Sequence, residues 1–450
     1  MIRWTIAAAF LLPSAPLAAQ TATQEDLQAR YDRGLAAGYK ALFLCSAIAN
    51  AERNGVTRAP ESVEKWELTG IQAPLETMID DLPYQISRDR SGELVDVRVT
   101  WADDARPRIA VHDSRMGCSQ LPPEGASLPI ATKRPPQDIQ REAVVQPEGA
   151  VASIFRKAFA PDYGTNTRTT AVLVMRDGAV VGESYAQDFG PGVPQRTWSV
   201  AKSIGATLIG AAVQRGEIKV SQSAGLGLSP NDQRNRITID ALLRMASGRY
   251  SDTVGNRTDP LYFGGSTVEE TAMHWPLVHE PETMFRYANN DTLAAVKAVE
   301  GTFADNPPAV FFDMLGMKDT VAETDWRGDY ILSSQVWSTA RDLGRLGQLY
   351  LDGGRSPDGG RILPETWVDY VSSPSGPQPE GAFGYGAGFW LLNKSEGVPH
   401  DTFAAMGNRG QFIMIVPSMN VVIVRRGEDP AGSRFDIATF TREVLESLVR

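Results

Sequence analysis

Thr197-Trp198-Ser199-Val200-Ala201-Lys202-Ser203 is the stretch whose reading decides the fold. Ser199 and Lys202 stand three residues apart at the start of a helical pattern, so they share one face, a turn apart. A serine hydroxyl is a poor nucleophile at neutral pH and needs a base beside it. A desolvated lysine can take its proton. At a helix start the Ser199 N–H also points where a developing oxyanion can be bound. Residues 204–212 are small and apolar, the composition of a buried helix under a site. Ser62-Val63-Glu64-Lys65 has the same spacing and reads as solvated surface, and Ser199 alone also reads as a helix N-cap.

Two later stretches extend the pattern. Phe285-Arg286-Tyr287-Ala288-Asn289-Asn290 holds the one Tyr-x-Asn of the chain. A tyrosine facing an ammonium group is eased toward phenolate, and can then act as base to the serine and acid to the leaving group. Asn289 is placed to hold the lysine or a substrate amide; the other reading is a core tyrosine with a turn asparagine. Gly407-Asn408-Arg409-Gly410-Gln411 precedes a hairpin. Glycine there permits close approach of backbone to substrate, with the Gln411 N–H as a second oxyanion donor; the other reading is a pre-strand turn.

Ser199-x-x-Lys202, Tyr287-x-Asn289 and a late glycine strand, in this order, resemble the penicillin-recognising serine hydrolases. The nearest likeness is to the class C β-lactamase-like branch, with its D-alanyl-D-alanine carboxypeptidases, esterases and 6-aminohexanoate-dimer hydrolases. The segment 237–248 (ITIDALLRMASG), Leu315-Gly316-Met317-Lys318-Asp319-Thr320 and Ser338-Thr339-Ala340-Arg341-Asp342-Leu343 are similar to that family's connecting text. The likeness covers about residues 150–445. It implies acylation of Ser199, proton handling by Lys202 and Tyr287, and substrate positioning by Asn289. It further implies an oxyanion hole from the N–H groups of Ser199 and Gln411, and no metal or cofactor. The family's third motif begins with Lys or His, where this chain reads Asn408-Arg409-Gly410. Arg409 is the candidate to supply that charge from a shifted position. Small amides or esters are therefore the expected substrates rather than β-lactams. The other reading is a non-catalytic or slowly acylated relative that binds cell-wall peptides or a protein partner.

Working outward, Thr170–Arg176 and Ala179–Tyr185 flank Asp177-Gly178 as a hairpin, and residues 412–416 and 421–425 form another. Helical patterns run over 195–213, 237–246, 291–301 and 338–353. Strands at both ends with helices between them predict an α+β fold, an antiparallel sheet with a helical layer. The family likeness adds an all-helical subdomain.

Residues 20–120 read as a small preamble, with a helix over 24–54 and strands over 94–100 and 109–112, followed by a Pro-rich linker over 121–149. A structural cover is its expected role. Met1–Arg3, an apolar core over 4–12, Pro13 and Leu17-Ala18-Ala19 have the layout of a cleaved secretory leader, so a secreted or periplasmic product is expected. No later stretch reads as a membrane span. Export permits oxidation, and Cys45 is expected to pair with Cys118, closing a loop worth roughly 4 kcal/mol in the chain-entropy account.

The 450 residues carry a net charge of −10, and no Lys/Arg-rich run appears, which excludes a nucleic-acid binder. No Gly-x-Ser-x-Gly elbow and no phosphate-cradling glycine loop occurs. His274 and His279 are five apart and flanked by prolines, which does not suit a metal site.

Overall fold

A computed structural model describes residues 22–126, 141–251 and 258–449. Residues 1–19, where a secretory leader was expected, and the linker segment 127–140 lie outside the described residues.

The N-terminal unit is one long helix, Gln24–Arg53, against a four-stranded antiparallel sheet of β1 (Tyr84–Arg88), β2 (Leu94–Val99), β3 (Arg108–Asp113) and β4 (Gly117–Gln120). Thr23 starts the helix with a capping box to Asp26. A disulfide joins Cys45 on the helix to Cys118 on β4. An 18-residue window of this helix has mean hydropathy 1.2, apolar enough by length and composition to cross a bilayer, contrary to the sequence expectation. That window is wholly buried in the protein, so its apolarity is that of a core helix. The repeat of the Ser-x-x-Lys spacing falls in the helix Pro60–Trp66, where Lys65 pairs with Asp188 at the surface.

The main sheet comprises β5 (Thr169–Arg176), β6 (Ala179–Tyr185), β10 (Gly384–Tyr385), β11 (Trp390–Leu391), β12 (Phe403–Gly407), β13 (Gln411–Val416) and β14 (Val421–Gly427). All pairings are antiparallel, in the order β10-β11-β12-β13-β14-β5-β6. Period-two alternation sorts the side chains to two faces. Leu173, Ala405, Ile413 and Val424 join the core under the helices Val200–Gln214 and Ala340–Leu351. Val172, Ala404, Met414 and Ile423 join the opposite core with Phe155 and Phe440, from the helices Gly149–Ala158 and Ile437–Leu448. The described end of the linker runs along β6, where the Glu183 N–H donates to Val145 O at 2.9 Å.

Three short strands, β7 (Gln195–Arg196), β8 (Val321–Ala322) and β9 (Val336–Ser338), make a separate sheet in the order β7-β9-β8. Here the structure departs from the sequence pattern. The helix read from residue 195 begins at Val200, because Gln195–Arg196 is a strand and Trp198 takes φ 49°, which breaks helical continuity. The helix read over 237–246 is cut to Ile239–Leu243, and Met245 has φ 58°.

The N-terminal unit does not keep a core of its own. Tyr39 and Phe43 share one apolar cluster with Trp198, Phe263 and Trp337. Ring centroids lie 4.5 Å apart for Tyr39–Phe263 and 5.9 Å for both Phe43–Trp198 and Phe43–Trp337. Gly38 permits this contact: a Cβ there would fall 1.7 Å from Phe263 O.

Candidate active site

Ser199 stands at the N-terminus of Val200–Gln214, half-buried at the base of a left-handed turn. Lys202, one helical turn on, is 2% exposed. Its Nζ lies 3.0 Å from Ser199 Oγ, 2.6 Å from Asn289 Oδ1 and 3.0 Å from Ser333 O. The Asn289 amide is oriented by its other end, where Nδ2 donates to Thr258 Oγ1 at 2.9 Å. Tyr287 borders the same pair, its ring centroid 5.0 Å from Lys202 Nζ. The structure thus brings Ser199, Lys202, Tyr287 and Asn289 together from two segments far apart in the chain.

Burial drives the Lys202 ammonium down from the ordinary 10.5 to about 7. Burial pushes the Tyr287 hydroxyl well above the usual phenol range, and the Ser199 side chain offsets only part of this. The sequence expectation of a phenolate held by an ammonium is therefore corrected. Burial thus works against a phenolate at Tyr287 and in favour of the neutral amine at Lys202.

The third stretch is corrected too. Arg409 does not replace the missing cation. Its guanidinium is buried, paired with Glu428 at 2.6 Å, and donates to the carbonyls of Trp66, Thr69 and Gly70 in the N-terminal unit. Gly410 sits in the turn with φ 79°, against Arg425 and Asp429. Gln411 stands in the ladder opposite Gly407, and its side chain is bonded to Gly427 O and Arg426. The glycine that passes the serine is Gly407, where a Cβ would fall 2.5 Å from Thr197 O and 3.1 Å from Ser199 N. Asn408, next along, is exposed. The signal for Gly407 was present: it closes the apolar run 403–406, and a glycine in a strand marks a close backbone approach. The part of Ser333, a carbonyl acceptor, has no sequence signal.

An aromatic wall borders Tyr287. Its ring centroid is 5.3 Å from Trp390 and 6.2 Å from Tyr385, and Phe285 lies 5.4 Å from Tyr385. Ala405, two residues before Gly407, is buried in the apolar core, so no cation stands at that place on β12.

This antiparallel sheet, backed by helices and carrying the serine and lysine at a buried helix start, defines the β-lactamase/transpeptidase-like class of fold. The family profile described as Beta-lactamase matches residues 155–445, and the chain belongs to that family, a group of hydrolases within the penicillin-recognising superfamily. The 6-aminohexanoate-dimer hydrolase of Paenarthrobacter ureafaciens is 26% identical over 300 residues, covering 59% of this chain and 74% of that protein. Among solved structures, a candidate 6-aminohexanoate-dimer hydrolase from Bacillus anthracis is similar with TM-score 0.55 and 20% identity, over 65% of this chain and 80% of its own. A D-stereospecific amidohydrolase from Streptomyces sp. has TM-score 0.51 and 16% identity, over 66% of this chain and 97% of its own.

Proposed function

We propose that the protein is an exported serine hydrolase that cleaves small amides or esters through an acyl-enzyme on Ser199. The observation that carries this reading is the 3.0 Å contact between Lys202 Nζ and Ser199 Oγ inside a site that favours the neutral amine. A neutral amine has two N–H bonds and one lone pair. Asn289 Oδ1 and Ser333 O take the two N–H bonds, which leaves the lone pair facing the Ser199 hydroxyl.

Lys202 then accepts the serine proton as Oγ bonds to the substrate carbonyl carbon. The Tyr287 hydroxyl, whose ring borders Lys202, passes a proton to the departing amine or alcohol. The N–H of Ser199 and that of Asn408, beside Gly407, are the oxyanion donors in this reading. Water then attacks the acyl carbon and gives a proton to the Tyr287 oxygen, while Lys202 returns its proton to Ser199 Oγ as the acid leaves, so that all three side chains end as they began. The apolar Ala405, the engaged Arg409 and the wall of Phe285, Tyr385 and Trp390 favour an uncharged, extended acyl group over a β-lactam carboxylate. The kinship with a 6-aminohexanoate-dimer hydrolase supports the same substrate class. The leader-like N-terminus and the Cys45–Cys118 disulfide support export.

A panel of p-nitrophenyl esters, linear amides and β-lactams tests the reading. Ester or amide turnover, with β-lactams poor, is expected; a rate unchanged by Ser199→Ala overturns it. The pH profile adds an independent check. Lys202 must be neutral to act, so kcat/KM should rise about tenfold per unit on the acid side and level off above about pH 7. A flat profile between pH 5 and 8 removes Lys202 from the role of base.

A further inference from the structure

Trp198 holds φ 49°, a left-handed backbone that a bulky residue adopts only where its surroundings impose it. The indole is buried, and its Nε1 has no hydrogen-bond partner, so no polar anchor holds the ring. What lies against it is Arg196, whose guanidinium carbon is 4.3 Å from the indole centroid.

Arg196 is itself unusual. It is 1% exposed, and no carboxylate among the described residues forms an ion pair with it. Glu323 and Asp259 act on it only across space. Its Nε and Nη1 have no hydrogen-bond partner, and Nη2 donates to Ser334 Oγ at 2.8 Å. A buried cation so lightly bonded is costly, and aromatic faces compensate for it. Beyond Trp198, it lies 5.1 Å from Phe43, 5.2 Å from Tyr262 and 5.4 Å from Phe263. Phe43 belongs to the N-terminal helix, so the cage closes only when that unit is docked. The Ser334 contact holds the segment that carries Ser333 O, an acceptor for Lys202. Arg196 therefore touches both supports of the site: the turn before Ser199 and the segment beneath Lys202.

We propose that Arg196, caged by Phe43, Trp198, Tyr262 and Phe263, is a positioning residue that holds the left-handed turn at Trp198 and so aims Ser199. This rests on Ser199 being the acylated residue. The N-terminal unit becomes by this account part of the catalytic apparatus rather than a cover.

The test is a double-mutant cycle on the full chain, read by fluorophosphonate labelling of Ser199 and by p-nitrophenyl ester kinetics. Arg196→Met should lower kcat and the labelling rate by about 10- to 100-fold, as for a misplaced reacting group, with KM within about twofold of wild type. Arg196→Lys should rescue little, because a point charge cannot lie flat on the indole. Asparagine adopts the left-handed region readily, so in a Trp198→Asn background Arg196→Met should cost less than about threefold. Equal losses in both backgrounds, or wild-type labelling of Arg196→Met, overturn the proposal. If Arg196→Met does not fold, Phe43→Leu serves instead: a smaller fall in kcat at unchanged KM is expected, and a wild-type rate overturns the proposal. A wild-type protein that is never labelled fails at the earlier step, the reading of Ser199 itself.

Discussion

Ser199→Ala should abolish covalent labelling and reduce ester turnover to the background rate, a loss of about three to six orders of magnitude in kcat. Lys202→Met should lose nearly as much, because the two side chains act as one unit. Without the amine, no other group among those touching Ser199 accepts its proton near neutral pH, since burial keeps Tyr287 a phenol. The double variant should then be little worse than either single one. Steady-state kinetics on the three proteins measure this. Additive losses would mean that Lys202 and Ser199 work independently, and the proton-transfer assignment would fall.

The second large effect concerns Gly407. A methyl group there would lie 2.5 Å from Thr197 O and 3.1 Å from Ser199 N, so strand or turn must give way. Both neighbours are backbone, with no side-chain rotation to relieve the clash. Gly407→Ala should therefore separate the oxyanion donors and lower kcat by about 10²–10³-fold. Gly410→Ala is the contrast. Its added carbon meets the Arg425–Asp429 pair and sits at φ 79°, so it should lower the melting temperature through a loss of more than about 1 kcal/mol. Folded Gly410→Ala should retain most of its specific activity. The reverse pattern would restore the later glycine to the site.

The extent to which the site was legible follows from the range of its contacts. Ser199 and Lys202 lie within one helical turn, so spacing alone brings them together. Tyr287 and Asn289 meet them across the fold, and the ordered family motifs placed them there. Apolar, β-branched runs on either side of the turns at Asp177-Gly178 and 417–420 exposed both hairpins of the main sheet. Position 407 was missed because two glycines flank the same turn, and only the tertiary approach of β12 to the serine tells them apart. Arg409 looked available because a sequence does not show that Glu428 and three carbonyls of the N-terminal unit claim it. The phenolate expectation failed for a related reason: proximity to an amine argues for a lowered phenol only if burial does not neutralise the amine first.

The shared aromatic cluster sets the minimal length of a viable chain. Trimming to the segment that the family profile recognises would leave Trp198, Phe263 and Trp337 stripped of Tyr39 and Phe43 and facing water. It would also remove the Trp66, Thr69 and Gly70 carbonyls that satisfy Arg409. During synthesis β1–β4 cover one side of the long helix as soon as residue 120 has emerged, but Tyr39 and Phe43 must wait for Trp198, Phe263 and Trp337 from the later chain. Those two rings are therefore the part of the helix exposed longest to wrong partners before the chain is finished.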